Sequence, residues 1–298
     1  MKVDVQPDAI KISQLKHIEK SMERFGLMTA DCSKALTPME EGDKTLRRAE
    51  SPDTTLPYRE IIGTLLWISR CTRPDISHAV AYLGQFSCHY DASHFMAAKR
   101  VLKYLWLTKD ACLTFKKPEK YSQPELTVLC DSDWASDRTD RKSMTGTITF
   151  MNGMPVNWVS KKQTTVALSS TEAEVYAMSI ACTDVLHLWS FMQPISPPAL
   201  PIKVYCDNQA AKCIAEQGSN SVRSKWYDTR VLFLRDCWFK SKALRFHYIN
   251  TSFNVSDAVT KSLSQVKLDV FRPQMLGIDP VHFQGAVLVD PDWKSGKS

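Results

Sequence analysis

The sequence contains no pair of cysteines at the C-x-x-C spacing that zinc sites and redox motifs use. Its nine cysteines are odd in number and scattered, which argues against a disulfide framework or a structural zinc site and predicts reduced thiols. It also lacks a run of the roughly 20 apolar residues that a membrane span needs. The first ten residues, MKVDVQPDAI, lack the apolar segment of a signal peptide. We therefore expect an intracellular protein, in the cytoplasm or nucleus, that is not secreted and has no membrane partner.

Glycine and proline are also few, with 10 and 15 residues, so the chain is neither collagen-like nor a low-complexity linker. The composition is that of an ordinary globular protein, with 44% hydrophobic and 23% charged residues. A length of 298 residues favours two domains over one.

Positive charge is concentrated in one stretch of the chain. Residues 223–245 hold seven Lys or Arg against two Asp, and Trp226, Tyr227, Trp238 and Phe239 interleave with them. A basic stripe with aromatic residues suits a phosphate backbone. A solvated helix face over an aromatic core explains the same pattern, and the sequence leaves both interpretations open.

The first 120 residues have helical patterns. Apolar residues at helical spacing predict a helix over 11–26, with Ser13 as its N-cap, followed by a polar linker over 30–56. Three further helices are predicted to make a small helical unit. They begin at Pro57, at Pro74 and at Asp91 or Ser93.

After Lys120 the pattern changes to strands that alternate with helices, in the order β-β-β-α-β-α-α-β-α. This order predicts a mixed sheet with helices packed on it, an α/β or α+β class. Asn152-Gly153 marks a hairpin between the second and third strands. The predicted strands are Leu126–Cys130, Thr145–Met151, Met154–Val159, Ile202–Cys206 and Leu244–Ile249, and the predicted helices are 170–192, 208–216, 225–241 and a short one near Asn254.

Four acidic residues stand at strand ends or helix starts in this second half: Asp131, Glu174, Asp207 and Asp257. Such positions converge at one edge of a mixed sheet, and carboxylates gathered there repel one another unless a cation neutralises them. Oxygen ligands in that number select Mg²⁺ or Mn²⁺. Two such ions about 3.5–4 Å apart support phosphodiester cleavage.

Each acid also has a purely structural interpretation. Glu172 has the capping-box spacing from Ser169, which leaves Glu174 free to point elsewhere. Asp207 and Asp257 are each placed to cap a helix, and Asp133 competes with Asp131 for the first position. Spacing alone does not decide between these alternatives.

Several ordered stretches resemble the C-terminal part of reverse transcriptase in copia-type retrotransposon Pol polyproteins, and the resemblance spans residues 5–277. Four resemble the RNase H domain: CDSDWASDRTDRKSMTG (130–146), VNWVSKKQTTVALSSTEAEVYA (156–177), YCDNQAA (205–211) and NVSDAVTKSL (254–263). Three upstream stretches resemble the late palm and thumb: ISQLKHIEKSMERFGL (12–27), PYREIIGTLLWISRCTRPDISHAVAYLGQF (57–86) and AAKRVLKYL (97–105).

The resemblance implies an RNase H-type endonuclease that cleaves the RNA strand of RNA–DNA hybrids. It carries the catalytic and metal-binding roles of the family's four acids over to Asp131, Glu174, Asp207 and Asp257, which would hold two Mg²⁺ ions, with Mn²⁺ as a substitute. The implied partners are an RNA–DNA hybrid and the remaining segments of a Pol polyprotein. The candidate nucleic-acid contacts are Ser132, Lys161, Lys162, Asn208, Lys225, Arg230 and Arg235.

The resemblance also divides the chain. Residues 1–56 correspond to a palm remnant and linker, 57–119 to a helical thumb-like region, 120–265 to an RNase H-like mixed sheet with flanking helices, and 266–298 to a C-terminal tail. If most of the palm sheet is missing, residues 1–27 should expose apolar surface.

Two departures from the family pattern bear on activity. The YxDD polymerase motif is absent, so we expect no polymerisation by this chain alone. The family's His residues in the stretch matching 225–233 are replaced by Trp226 or Tyr227 and by Leu232. Three hypotheses therefore stand: an active nuclease, an inactive remnant that at most binds nucleic acid or has a structural role, and a host-recruited interaction protein.

Overall fold

The computed structural model describes residues 1–28, 35–42, 45–118, 122–217, 228–281, 283–284 and 287–288. The α-helices are α1 (Leu15–Arg24), α2 (Tyr58–Cys71), α3 (Ser77–Gly84), α4 (Ala92–Leu107), α5 (Ser170–Met192), α6 (Gln209–Gln217), α7 (Asp228–Arg235) and α8 (Gln265–Met275). The strands are β1 (Lys2–Val5), β2 (Ala9–Ser13), β3 (Leu113–Lys116), β4 (Leu126–Asp133), β5 (Met144–Met151), β6 (Met154–Lys162), β7 (Ile202–Cys206), β8 (Leu244–Tyr248), β9 (Phe283–Gln284) and β10 (Val287–Leu288).

The N-terminal segment forms part of a small antiparallel sheet, ordered β1-β2-β3. The predicted helix start at residue 11 is wrong, because residues 9–13 pair with both neighbouring strands and α1 begins only at Leu15. The apolar surface expected to be exposed in residues 1–27 is exposed at Val3, Val5 and Ile10 of the first two strands, but the apolar stripe of α1 is buried. Ile18, Met22 and Phe25 are all buried, and α1 packs on α4.

The helical unit has the predicted beginnings. α2 starts directly after Pro57, and Pro74 opens a short 3-10 helix that leads into α3. Asp91 is the N-cap of α4, where its carboxylate accepts hydrogen bonds from the backbone N–H groups of Ser93 and His94. The Asp91 cap satisfies backbone donors that a helix start leaves without a partner.

The second half of the chain forms a five-stranded mixed sheet, ordered β6-β5-β4-β7-β8. β4, β5 and β6 are antiparallel, whereas β7 runs parallel to β4 and β8 runs parallel to β7. This confirms the mixed α/β sheet with flanking helices that the sequence predicts for an RNase H-like domain. Asn152 and Gly153 form the turn between β5 and β6 with positive φ angles of 50° and 79°, as such a two-residue hairpin requires.

One face of this sheet is covered by α5, which packs on β4 and β5. Its side chains Val175, Met178, Cys182 and Val185 are fully buried in the core on that face. By length and composition alone α5 is apolar enough to cross a membrane, with a mean hydropathy of 1.2 over its best window. The expectation that no stretch reaches this level is therefore wrong for α5, although the helix buries its apolar face within this core.

The opposite face of the sheet shares a core with the helical unit. Leu129, Ile148 and Phe150 of the sheet belong to the same buried cluster as residues of α1, α2 and α4. The indole N–H of Trp158 on β6 donates to the carbonyl of Ser69 on α2 at 2.9 Å. The helical unit before residue 120 and the five-stranded sheet after it therefore share one hydrophobic core across the expected boundary.

The region expected to be a tail begins with α8, which contributes to the same core through Leu268, Phe271 and Met275. Beside α8, Arg73 is 1% exposed and forms a bidentate pair with Asp75, while Tyr104 donates to the same carboxylate at 2.6 Å. Removing such a partner from a buried carboxylate strongly destabilises the folded protein.

We expect Arg73→Met to lower the free energy of unfolding by about 3–5 kcal/mol, because Asp75 would keep a buried charge without its partner. Chemical denaturation of the full chain measures this change. The control is Arg24→Met, which removes the ion pair of two exposed side chains, Arg24 and Glu60, and should cost at most about 1 kcal/mol. Equal losses in the two variants would contradict a structural role for the buried pair.

Candidate active site at the carboxyl ends of β4 and β7

The site lies where two parallel strands end side by side. Asp131 is near the end of β4, and Asp207 follows directly after β7. Because β4 and β7 are parallel neighbours, their carboxyl ends lie at the same edge of the sheet, which is the usual position of functional residues in open α/β sheets.

The third acid comes from the first turns of α5. Ser169 is the N-cap of this helix, and its hydroxyl accepts from the N–H of Glu172 at 3.1 Å. The side chain of Glu172 accepts from the N–H of Leu168, so Glu172 serves the helix start, as its spacing predicts. Glu174 points instead to the sheet edge and is 5% exposed.

The structure brings Asp131, Glu174 and Asp207 together. Each offers a carboxylate oxygen, and these three atoms lie within 4.8 Å of one another. Asp131 is 2% exposed and Asp207 is half-buried. Among the described residues, no donor reaches the buried Oε2 of Glu174, so this oxygen is left without a partner at the centre of three acids.

Neighbouring donors fix the other carboxylate oxygens. Ser132 donates both its backbone N–H, at 3.1 Å, and its hydroxyl, at 2.8 Å, to Oε1 of Glu174. The hydroxyl of Thr251 donates to Asp207 at 2.8 Å, and the hydroxyl of Thr260 donates to Oδ2 of Asp131. The carboxylates are therefore held in place by side chains from other segments of the chain.

Burial and mutual repulsion change the protonation of these acids. The pKa of Asp131 is raised to about 7 by burial and by the carboxylates of Asp257 and Asp207, against the opposing effect of Lys261. Burial and the carboxylates of Asp131 and Asp207 raise the pKa of Glu174 well above its usual value. Both shifts mean that the group needs a proton or a nearby cation.

Asp257, the fourth acid of the sequence prediction, is not part of this group of three. It is fully buried in the 3-10 helix Val255–Val259, and its oxygens face Lys261 Nζ at 2.9 Å and Lys267 Nζ at 2.5 Å. Lys261 Nζ also lies 3.6 Å from Oδ2 of Asp131. Burial lowers the pKa of Lys261, but the carboxylates of Asp131 and Asp257 outweigh it, so the net pKa is raised and the side chain is an ammonium.

The expected caps are made by other residues. Asn208, not Asp207, caps α6, because its side-chain oxygen accepts from the N–H of Ala211 at 2.9 Å. Asn254, not Asp257, caps the 3-10 helix of residues 255–259. Asp207 and Asp257 are therefore free of the capping roles that the sequence allowed, while Asn208, a candidate nucleic-acid contact, has one.

The remaining candidate contacts have different surroundings. Ser132 is buried and holds Glu174. Lys161 is exposed, whereas Lys162 is paired with Asp137 and with Asp140, the latter at 2.9 Å.

On the basic stretch, α7 continues directly into a π-helix, Asp236–Lys240. Arg230 lies over the ring of Tyr176, 3.7 Å from its centroid, and donates to Ser179. Arg235 and Phe239 are exposed, and Lys225, Trp226 and Tyr227 lie outside the described residues. The exposed cation and ring are compatible with a contact surface for phosphates.

Thr251, Thr260, Lys261 and Lys267 also belong to this region, although they are not among the residues predicted from the sequence. A signal existed for one of them, since Lys261 follows Asp257 by four residues, the spacing of neighbours on a helix. The contacts of Thr251, Thr260 and Lys267 join separate segments of the chain, so only the folded structure reveals them.

No family model matches the chain. Among solved structures, LC11-RNase H1, isolated from compost, is 14% identical with a TM-score of 0.37. The match covers 45% of this chain and 91% of the RNase H1 chain. The same RNase H1 in complex with an RNA/DNA hybrid is 14% identical with a TM-score of 0.35, and covers 44% of this chain and 88% of its own.

Similarity to curated proteins extends over most of the chain. The retrovirus-related Pol polyprotein from transposon TNT 1-94 of Nicotiana tabacum is 33% identical over 267 residues, which is 87% of this chain and 20% of that protein. The Pol polyprotein from transposon RE2 of Arabidopsis thaliana is 33% identical over 89% of this chain and 18% of its own length. The chain spans about a fifth of the length of these relatives, and with both parts of its sequence matched to them it belongs to the family of copia-type retrotransposon Pol polyproteins.

Proposed function

We propose that this chain is a divalent-metal-dependent nuclease that hydrolyses the RNA strand of an RNA–DNA hybrid. The observation that carries the proposal is the group of Asp131, Glu174 and Asp207, each of which offers one oxygen within 4.8 Å of the others. No hydrogen-bond partner for Oε2 of Glu174 is found in the part of the chain that the structure describes. A cation at this position relieves the repulsion that raises the pKa values of Asp131 and Glu174. Three hard oxygen donors fit Mg²⁺, with Mn²⁺ as a substitute.

The residues of the chain hold and orient the site. Asp131, Glu174 and Asp207 would be the ligands of the ion, which when bound supplies an activated water and stabilises the leaving oxygen of the phosphodiester. Ser132 keeps Glu174 turned towards the site, and Thr251 and Thr260 do the same for Asp207 and Asp131. Fixed ligands hold a reacting phosphate in a productive geometry, which is a large part of the rate enhancement.

An RNA–DNA hybrid as substrate is supported by the family to which the chain belongs and by exposed cations of the chain. Lys161 on β6 and Arg235 on α7 are exposed and are able to meet phosphates. The 2′-hydroxyl groups would mark the RNA strand. Lys162 contributes less, because Asp137 and Asp140 already neutralise it.

A second candidate function is binding of the hybrid without cleavage. It is favoured by one observation, the engagement of Asp257 by Lys261 and Lys267 instead of by the group of three acids. Under this alternative the protein binds hybrid and leaves both strands intact in Mg²⁺ or Mn²⁺.

The first prediction concerns the metal-free protein and pH. In the unfolded chain Asp131 ionises near pH 4, whereas in the folded chain its pKa is about 7. Between these values the unfolded state releases a proton that the folded state retains, so stability falls as pH rises from about 4 to 7 and stays low above. Thermal unfolding in EDTA should show this fall, and Mg²⁺ should reverse it at pH 8.

The matched variants for this pH dependence are Asp131→Asn and Asp236→Asn. Asp131→Asn removes the titrating group, so its midpoint should fall less with pH than that of the wild type. Asp236 is exposed, is paired with Lys240 and is not a member of the group of three acids, and its variant should keep the wild-type slope. A wild-type slope in Asp131→Asn would contradict the shifted pKa.

The second prediction concerns cleavage. We expect Asp207→Asn to lower metal-dependent cutting of the RNA strand of a labelled hybrid by more than about 100-fold, since even residues that only support a metal ligand are worth about 10–100-fold. Its unfolding free energy in EDTA should stay level or rise, because one repelling charge is gone. Asp110→Asn, at an exposed residue between α4 and β3, is the control and should cut like the wild type. Equal cutting by Asp207→Asn would contradict the assigned site, and intact hybrid bound by folded wild type would favour the binding alternative.

A further inference from the structure

Two lysines lie among the acids at this edge of the sheet. Lys261 is the second residue after the 3-10 helix Val255–Val259, which contains Asp257. Lys267 lies in the first turn of α8. Each side chain is 34% exposed, whereas the Asp257 side chain that both contact is completely buried. The two ammonium groups therefore close over Asp257 from the solvent side.

The contacts of the two lysines differ in one respect. Lys267 Nζ contacts only Oδ2 of Asp257 among the acids here. Lys261 Nζ lies between two acids, 2.9 Å from Oδ1 of Asp257 and 3.6 Å from Oδ2 of Asp131. Lys261 thus bridges the fourth acid and one member of the group of three.

The balance of charge points the same way. The four carboxylates carry four negative charges when ionised, and the two ammonium groups offset half of them. One divalent ion neutralises the remaining charge of these four acids, so a second ion gains less attraction from them while Lys261 stays in place. Oδ2 of Asp257 is held by Lys267, and Oδ1 faces Lys261 at 2.9 Å with no hydrogen bond from any described residue, so an ion at Oδ1 would compete with the Lys261 ammonium group.

We propose that Lys261 supplies the second positive charge of this site, so that the chain binds a single divalent ion at Asp131, Glu174 and Asp207. The inference rests on the proposed metal site and goes beyond it, because it assigns Lys261 as a positioning residue that sets how many ions bind. The ammonium group of a lysine is a compact point charge on a flexible stem. It supplies positive charge as a metal ion does, but it does not coordinate a water or a phosphate oxygen.

The test counts Mn²⁺ ions bound to the full-length chain without nucleic acid, from the electron paramagnetic resonance signal of free Mn²⁺ during a titration. We expect one ion in the wild type and two in Lys261→Gln. Lys261→Arg keeps the charge and should restore one ion. The matched control is Lys203→Gln, because Lys203 is 37% exposed and paired with Glu125 away from the site, and it should bind one ion.

The outcomes separate this inference from the proposed function. One ion in both the wild type and Lys261→Gln, with equal affinity, overturns the role of Lys261 and leaves the metal site intact. Two ions in the wild type overturn it as well. No ion in either protein overturns both the inference and the proposed metal site.

A second variant addresses folding, since Lys261→Gln weakens the pairing of a buried carboxylate. Lys261→Gln/Asp257→Asn removes that charge too, and we expect it to fold without metal and to bind one ion. If Lys261→Gln folds only when Mn²⁺ is added, the ion is replacing the ammonium, which supports the inference. Two ions in the double variant would show that Asp257 is not the added ligand and would overturn it.

Discussion

Repulsion among two buried carboxylates and a half-buried one is the constraint on which this site depends. Asp131, Glu174 and Asp207 place oxygens within 4.8 Å of one another at the sheet edge. Burial raises the cost of such charges because the low-dielectric interior strengthens their repulsion. Such an arrangement is stable when a cation neutralises the negative charge. Without a metal ion, burial and the same repulsion raise the pKa of Asp131 and of Glu174, so that these groups tend to keep a proton.

The fold supplies the rigidity that such an arrangement needs. The parallel pairing of β4 and β7 aligns two acids, and the capped start of α5 delivers the third. On β5, a Cβ atom at Gly146 would lie 2.4 Å from the side chain of Thr260. Glycine at this position lets Thr260 approach closely enough to donate to Asp131, so the sheet, the 3-10 helix of residues 255–259 and the acid are packed as one unit.

The structural features that depend on local sequence signals could be predicted from the sequence. The bounds of α5 and β7, the Asn152-Gly153 turn and the acids at 131, 174 and 207 follow from periodicity, turn chemistry and family motifs. The strand at residues 9–13 could not be predicted, because one of its two partner strands lies far along the chain at 113–116. The pairing of Asp257 with Lys267 joins two separate helices. Arg73 and Asp75 are close in sequence, but their burial and their contact with Tyr104 have no local signature.

The most direct test of the central claim is the anomalous scattering of Mn²⁺ in crystals of the full-length chain grown with that ion. The account predicts a peak coordinated directly by the carboxylates of Asp131, Glu174 and Asp207, with Oε2 of Glu174 among the ligands. Bound Mn²⁺ elsewhere on the molecule, with no peak among these three carboxylates, would contradict it.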